Sequence, residues 1–230
     1  MRTRHGSWLM ADGIWKMMRP WAIAISLQLL AMMVACGGRS VATPRPNVLL
    51  ITIDTFRADR VGIGLTPAID RLAASGLRFT AARSAVPLTL PSHTTIHTGL
   101  LPPAHGVREN GVDALAATHQ TIATLMKGAG YDTAAFVGAF VLDHRFGLAQ
   151  GFDVYDDQIP RDPNATDRLE AERPASAVVD RALAWLETHP ALPAGPALPA
   201  PPAPFFLWIH LYDPHAPYNP PAEFLDGRRT

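Results

Sequence analysis

The segment Asn47-Val48-Leu49-Leu50-Ile51-Thr52-Ile53-Asp54 decides the fold class of this 230-residue chain. It is a short apolar run, rich in β-branched residues and bounded by turn signals, which is typical of a buried strand in a parallel sheet. Open α/β sheets place ligands and catalytic groups at the carboxyl ends of their strands. Asp54 stands at such an end. Because a buried carboxylate without a partner is costly, we expect it to bind a metal ion or a basic group.

The segments around this strand alternate between helix and strand, which predicts an α/β fold. Helices are predicted from Thr66-Pro67 to about Gly76, over 120–127 and over 176–189, and further strands over 77–82, 131–137 and 205–212. Apolar residues of the last two helices are expected to face the core. They are Ile122, Leu125, Met126, Val178, Val179, Ala182, Leu183 and Leu186. The Pro/Ala-rich stretch 190–204 predicts an extended, solvated loop.

A second informative segment is Thr89-Leu90-Pro91-Ser92-His93. Proline is tolerated in the first helical turn, and Gly99 is suited to end a helix, so the segment predicts a short helix that begins at Thr89. Main-chain N–H groups and the helix dipole favour an anion at that end. The Thr89 hydroxyl would there meet a phosphate or sulfate ester held by the same amides. The alternative is that Thr89 only caps the helix.

Four blocks, in this order, resemble the sulfatase-like branch of the alkaline phosphatase superfamily. They are PNVLLITIDTFRAD (46–59), LTLPSH (88–93) with Thr98-Gly99, HGV (105–107) and FFLWIHLYDPHAPY (205–218), and they cover roughly residues 45–220. The resemblance implies an alkaline phosphatase-like sandwich, with a mostly parallel sheet flanked by helices. It also implies a metal-dependent hydrolase or transferase of sulfate or phosphate esters.

The nucleophile segment departs from the sulfatase pattern. Sulfatases have a Cys or Ser that is oxidised to formylglycine, with Arg four residues later, whereas this chain has Thr89 and His93. A threonine cannot become that aldehyde, so the resemblance favours the relatives that use a Thr nucleophile. In addition, Val137-Gly138-Ala139-Phe140 replaces the expected Gly-Lys-aromatic-His, so two sulfate-binding groups are missing. A true sulfuric ester hydrolase with an unusual nucleophile is the alternative.

Carried over by position, the resemblance assigns a metal site to the ends of these segments. It implies that Asp54 is a metal ligand and that Thr89 is both ligand and nucleophile, its hydroxyl made acidic by the metal. Thr55 stands where sulfatases usually have a second acidic ligand. This favours zinc as the divalent cation, with calcium possible.

Asn110 and His215 receive substrate roles from the resemblance, and His93 is a candidate because it lies in the nucleophile helix. Asn110 is expected to donate to a substrate oxygen, His93 to face the anion, and His215 to contact the ester or protonate the leaving oxygen. The alternatives are a plain turn at Asn110-Gly111 and a simple loop histidine at His215. His105 and His210 are interpreted as structural histidines without a catalytic role.

The family completes its metal site with a later Asp followed by His or Asn. No such pair follows Tyr218 in this sequence. We therefore expect residues 46–230 to be the N-terminal part of a sulfatase-like domain, incomplete on its C-terminal side. With only Asp54 and Thr89 as ligands, this chain is expected to bind metal weakly and to turn over nothing. A catalytically inactive, envelope-anchored remnant is the non-enzymatic alternative.

Residues 1–36 predict a processing segment rather than part of the fold. Lys16 and Arg19 precede an apolar run over 21–34, and Met33-Val34-Ala35-Cys36 resembles a bacterial lipobox. Cys36, the only cysteine, is then a lipidation site followed by a linker over 37–45. An ordinary cleaved signal peptide or an uncleaved anchor is the alternative. The lipobox predicts a membrane-anchored protein of the bacterial envelope that faces the periplasm.

The balance of charges indicates which kinds of partner the chain could bind. The chain has 20 basic and 20 acidic residues, which gives no support for a nucleic-acid partner. The expected partners are a small-molecule, glycan or lipid ester as substrate, and the membrane through the lipid anchor.

Overall fold

A computed structural model describes residues 45–160, 171–189, 203–218 and 220–225. In this part of the chain, four parallel strands form one sheet in the order β1-β4-β2-β3. The strands are β1 (Val48–Ile53), β2 (Asp132–Val137), β3 (Val154–Asp156) and β4 (Phe205–Leu211). The helices are α1 (Pro67–Ser75), α2 (Thr89–Thr98), α3 (Pro102–His105), α4 (Ile122–Gly128) and α5 (Ala175–Glu187). The predicted α/β fold with a parallel sheet flanked by helices is confirmed.

Strand β4 is central because it lies between β1 and β2, and its side chains alternate between two apolar layers. Trp208 and Tyr212 belong to the layer that includes Leu90 of α2. Leu207 and Ile209 point the other way, and their layer includes buried residues of α5. The sheet is therefore covered by helices on both faces, as parallel sheets require.

Trp208 fixes α2 to the sheet. Its side chain is fully buried, and its indole Nε1 donates to Thr52 Oγ1 on β1 at 3.0 Å. Its ring lies 4.2 Å from that of His97 and 5.7 Å from that of His93, measured between centroids, and both histidines are on α2. The N-terminal end of α2 is thus held beside the carboxyl ends of β1 and β4.

Some details of the sequence-based prediction are wrong. No strand forms over 77–82, where Leu77 and Phe79 are 87% and 79% exposed, because this stretch pairs with none of the described strands. Leu125 and Leu183 face solvent instead of the core. The reason is that smaller residues form the packed face, Ala123 in α4 and Val178 with Ala182 in α5.

Several predictions concern residues outside the described ranges. They are the processing segment over 1–36 with Cys36, nearly all of the linker over 37–45, and most of the Pro-rich loop over 190–204. None of the described helices has both the length and the apolar character that crossing a bilayer requires.

Candidate active site

A cavity of about 570 Å³ lies at the carboxyl end of β1. Five of its lining residues were singled out from the sequence: Asp54, Thr89, His93, Asn110 and His215. The others are Thr52, Ile53, Thr55, Phe56, Ser84, Val86, Pro87, Leu88, Ser92 and Ile96. Segments that are far apart in the sequence therefore meet where α/β sheets place their catalytic groups.

The hydroxyl of Thr89 is directed at Asp54. Thr89 is the first residue of α2, only 8% exposed, and its Oγ1 donates to Asp54 Oδ2 at 2.8 Å. Burial by itself would raise the pKa of Asp54, but the nearby His210 imidazole and the Thr89 hydroxyl hold it below the ordinary value. Asp54 is therefore ionised at neutral pH. The cap alternative for Thr89 is not seen, because the N-cap residue of α2 is Leu88 and the Thr89 hydroxyl bonds to Asp54 instead.

Asn110 secures the first turn of α2. Its Oδ1 accepts the main-chain N–H of Leu90 at 2.9 Å, so it is more than a turn residue. Pro91, the next residue, has no N–H group. The helix terminus thus offers an anion fewer amides than the sequence predicted. The Nδ2 group of Asn110 is the donor that this side chain can present to a substrate.

His93 lies beneath the Thr89 main chain, one helical turn away. Its Nδ1 is 2.7 Å from the Thr89 carbonyl oxygen, which makes Nδ1 the protonated nitrogen of a neutral ring. Burial, reinforced by the neighbouring His210 ring, lowers the pKa of His93 to about 4. At neutral pH, His93 brings no positive charge to an ester. It cannot replace the arginine that sulfatases have at this position.

His215 borders the cavity from the segment that follows β4. Its ring stacks on Tyr212 with 4.3 Å between centroids, and its Nδ1 lies 2.6 Å from the Ala216 carbonyl oxygen. Nδ1 therefore carries a proton that it donates to this carbonyl. Nε2 is the nitrogen with which His215 could meet a substrate.

His210 is fully buried behind the cavity wall, beside Asp54, and sequence reasoning assigned it no role in the site. It was interpreted as a structural core histidine, yet its Nε2 lies 3.6 Å from Asp54 Oδ2. The available signal was the two-residue alternation of β4, which places His210 on the same face as Trp208 and Tyr212. What the sequence does not show is that β4 pairs directly with β1, so that His210 is in register with Thr52. His105, in contrast, bonds to Thr95 and to its own loop, in agreement with a structural role.

The backbone turns sharply just after Asp54. Thr55 has φ = 49°, the left-handed region that β-branched residues rarely adopt. Such strain costs on the order of 1–3 kcal/mol and is concentrated at functional sites. The turn brings Thr55 into the cavity wall without adding a second carboxylate.

The residues of this site fit a divalent cation. Asp54 is the only lining residue with a fixed charge, and the described wall includes no Lys or Arg. An anionic ester beside this carboxylate would be repelled unless a cation neutralised it. The donors are present, since Thr89 Oγ1 and His210 Nε2 both approach Asp54 Oδ2, and both ring nitrogens of His210 are buried without a hydrogen-bond partner.

Another group of possible metal ligands consists of Asp143, His144 and Asp157. Its carboxylates already have partners: Arg145 Nε donates to Asp143 at 2.7 Å, and His144 Nδ1 lies 2.6 Å from Asp157. None of the four residues lines the cavity. These ion pairs explain why the three residues lie close together.

The chain is similar in sequence and in structure to several known proteins. A family model described as Sulfatase matches residues 46–230. The N-acetylgalactosamine-6-sulfatase of Mus musculus is 30% identical over 89% of this chain and 46% of that protein. Among solved structures, the phosphonate monoester hydrolase of Agrobacterium radiobacter superposes with a TM-score of 0.57 at 22% identity, over 77% of this chain and 43% of that one. A 2-O GAG sulfatase gives a TM-score of 0.57 at 24% identity, over 75% and 36%. This chain spans less than half the length of each.

Proposed function

The chain belongs to the sulfatase family, and from that premise we propose that it supplies the nucleophile and the first metal ligands of a hydrolase or transferase acting on sulfate or phosphate esters. The observation that carries this proposal is the 2.8 Å hydrogen bond from Thr89 to Asp54 at the wall of the cavity. Since the chain spans less than half of its mouse relative, turnover is proposed for the full-length gene product.

Asp54 and Thr89 are the residues that would hold a divalent cation. When bound, the cation neutralises the charge of the ester and makes the Thr89 hydroxyl acidic. The low pKa of Asp54 makes this carboxylate a poor base for the hydroxyl proton. This supports metal dependence, with the proton lost to solvent through the open cavity.

The chemical step assigns one role to each residue. Thr89 Oγ1 forms a bond to the phosphorus or sulfur atom while the bond to the ester oxygen breaks. His215 contributes a proton to the leaving oxygen through Nε2, with Nδ1 anchored to the main chain. Asn110 orients a non-bridging oxygen through Nδ2. Attack of water or of an acceptor alcohol on the Thr89 adduct then completes hydrolysis or transfer.

We propose a preference for phosphate esters over sulfate esters. At the end of β2, Gly138 and Phe140 stand where the family has a lysine and a histidine, beside the fully buried Val137 and Ala139. The buried Arg173 guanidinium also lies there, but it donates to the Val137 carbonyl at 3.0 Å and pairs with Asp156 at 2.8 Å. A Cβ on Gly138 would lie 3.2 Å from the carbonyl oxygens of Arg173 and His210, so the backbone there is closely packed as well. Sulfate ester hydrolysis is the second candidate, and the similarity to N-acetylgalactosamine-6-sulfatase supports it.

Steady-state kinetics of the full-length gene product test the proposal. With Zn²⁺ or Mn²⁺ present, p-nitrophenyl phosphate should be cleaved faster than p-nitrophenyl sulfate. Thr89→Ala should lower kcat by roughly 10²-fold or more, since a covalent nucleophile and a metal ligand are both lost. Thr89→Ser should retain activity. Thr98→Ala removes a hydroxyl at the far end of α2, where Oγ1 donates to the Thr94 carbonyl, and should behave like wild type.

Two results would contradict this proposal. Normal turnover by Thr89→Ala would exclude Thr89 as the nucleophile. A clear preference for the sulfate ester would exclude the phosphate assignment and support the second candidate.

The location of the protein is also a proposal. We place it in the bacterial envelope, held by a lipid on Cys36 and facing the periplasm, where it would act on a small-molecule, glycan or lipid ester. The support is the sequence from 16 to 36, which lies outside the described residues.

A further inference from the structure

His210 is a buried imidazole whose environment is unexplained by packing alone. Its side chain has 0% exposure, and neither Nδ1 nor Nε2 has a hydrogen-bond partner. Leaving a buried polar group without a partner costs roughly 1–3 kcal/mol. The aromatic neighbours of the ring, His93 at 4.8 Å and Tyr212 at 6.0 Å between centroids, do not satisfy a ring nitrogen. His97 has the same two unpartnered ring nitrogens, so the feature that distinguishes His210 is its approach to the Asp54 carboxylate.

The separation between His210 and Asp54 identifies the kind of partner. Their Nε2 and Oδ2 atoms are 3.6 Å apart, longer than a good N–H···O hydrogen bond. Two ligands of a tetrahedral zinc ion, each bonded at about 2.1 Å, lie roughly 3.4 Å apart. The observed separation thus suits two atoms that share a cation better than two atoms that share a proton. Thr89 Oγ1 lies 2.8 Å from the same Oδ2, so the side chains of Thr89 and His210 both approach one carboxylate oxygen.

His93 is less suited to this role. Its Nδ1 is held by the Thr89 carbonyl at 2.7 Å, and its buried Nε2 also has no hydrogen-bond partner, so the difference from His210 is one of position. Asp54 Oδ2 lies 3.6 Å from His210 Nε2, whereas no ion pair between Asp54 and His93 is found among the described residues.

We propose that His210 is the third protein ligand of the cation held by Asp54 and Thr89. The inference rests on the proposed function and changes its ligand set: a nitrogen donor from β4 joins the two oxygen donors. Catalytic zinc sites typically combine three protein ligands with one open position. A neutral imidazole favours zinc and related transition metals, whereas calcium prefers oxygen ligands only. The proposal thus differs from the sequence-based expectation of weak metal binding, which counted only two ligands.

Metal titrations of the full 230-residue chain test this proposal. After removal of metal, Zn²⁺ binding is measured by calorimetry for wild type, His210→Gln, Asp54→Asn and His97→Gln. Replacing a residue that only hydrogen-bonds to a metal ligand lowers metal affinity by about 10–100-fold. Replacing a ligand itself, as in His210→Gln or Asp54→Asn, should therefore lower zinc affinity by at least about 100-fold. His97→Gln is the matched control, because His97 of α2 is also a buried histidine whose two ring nitrogens have no hydrogen-bond partner. It should bind zinc like wild type.

Two independent readouts do not depend on enzyme activity. Zn²⁺ should raise the Tm of wild type but not that of His210→Gln, since a ligand that binds only the folded state stabilises it. The Co²⁺-bound wild type should show a paramagnetically shifted imidazole N–H signal, and its absence would overturn the proposal even if His210→Gln does not fold. The ratio of zinc affinity to calcium affinity should also fall in His210→Gln.

The outcomes separate this inference from the proposed function. Wild-type zinc affinity in Asp54→Asn would remove the proposed metal site altogether. Loss of binding in Asp54→Asn together with wild-type affinity in His210→Gln would overturn only the role of His210. Equal losses of zinc affinity in His210→Gln and His97→Gln would mean that either buried imidazole merely supports folding. This result would also overturn the role of His210 as a ligand.

Discussion

Replacing Asn110 by Ala should destabilise the first turn of α2. In the native protein, Asn110 Oδ1 accepts the Leu90 N–H at 2.9 Å, and Leu90 is fully buried. The truncation leaves that N–H without its partner, which costs about 1–3 kcal/mol, and loss of a comparable helix cap costs roughly 0.5–2 kcal/mol. Asn110 is half-buried, so water can partly replace the lost acceptor. We therefore expect a loss of about 1–2 kcal/mol in the free energy of unfolding.

Urea denaturation of the full chain, followed by circular dichroism, measures this loss. For a domain of this size, 1–2 kcal/mol corresponds to a decrease of about 2–8 °C in Tm. Asn110→Asp is the matched control, because a carboxylate keeps the acceptor and is favoured at a helix N-terminus. It should be as stable as wild type while losing the Nδ2 donor for the substrate. If Asn110→Ala were as stable as wild type, or Asn110→Asp as unstable as Asn110→Ala, the capping role would be refuted.

Three other predictions concern anchoring, pH dependence and a buried ion pair. Cys36→Ala should abolish incorporation of labelled fatty acid, and persistent labelling would exclude the lipobox. Burial, aided by the His93 ring, lowers the pKa of His97 to about 3. The unfolded ring titrates near 6.5, so the unfolded state binds more protons than the folded state below that pH. The free energy of unfolding should therefore fall between about pH 6.5 and 3, by up to about 1.4 kcal/mol per pH unit. His97→Gln should remove this contribution, and parallel pH profiles of unfolding for the two proteins would contradict it. Arg173→Met should cost about 1–3 kcal/mol, because the buried Asp156 would lose the Arg173 guanidinium at 2.8 Å and keep only the exposed Arg181 at 2.9 Å. Arg57→Ala, at an exposed ion pair, should leave urea denaturation unchanged, and equal effects of the two substitutions would refute the burial argument.

The parts of the site that the sequence predicted are those with local signals. A β-branched run that ends in Asp54 defines a strand end, and a proline in the first helical turn places Thr89 at the start of α2. Both elements form as predicted, from Val48 to Ile53 and from Thr89 to Thr98. The resemblance to a family added Asn110 and His215, which line the same cavity. Their catalytic roles stay predictions.

The parts that the sequence did not predict depend on long-range pairing. His210 meets Asp54 only because β4, more than 150 residues after β1, inserts between β1 and β2. The bond from Asn110 to Leu90 depends on where a loop returns to the helix, so the loss of a free amide could not be foreseen. Likewise, the 77–82 stretch has the composition of a strand but finds no strand to pair with among the described residues.

Mass spectrometry of a trapped intermediate tests the nucleophilic role of Thr89 most directly. The full-length gene product is mixed with its divalent cation and p-nitrophenyl phosphate, quenched with acid within the first turnovers, and digested. We expect a phosphoryl group on the peptide that contains Thr89 in wild type, the same modification on the serine in Thr89→Ser, and none in Thr89→Ala. A phosphoryl group on another residue, or product release by Thr89→Ala at the wild-type rate, would contradict the account.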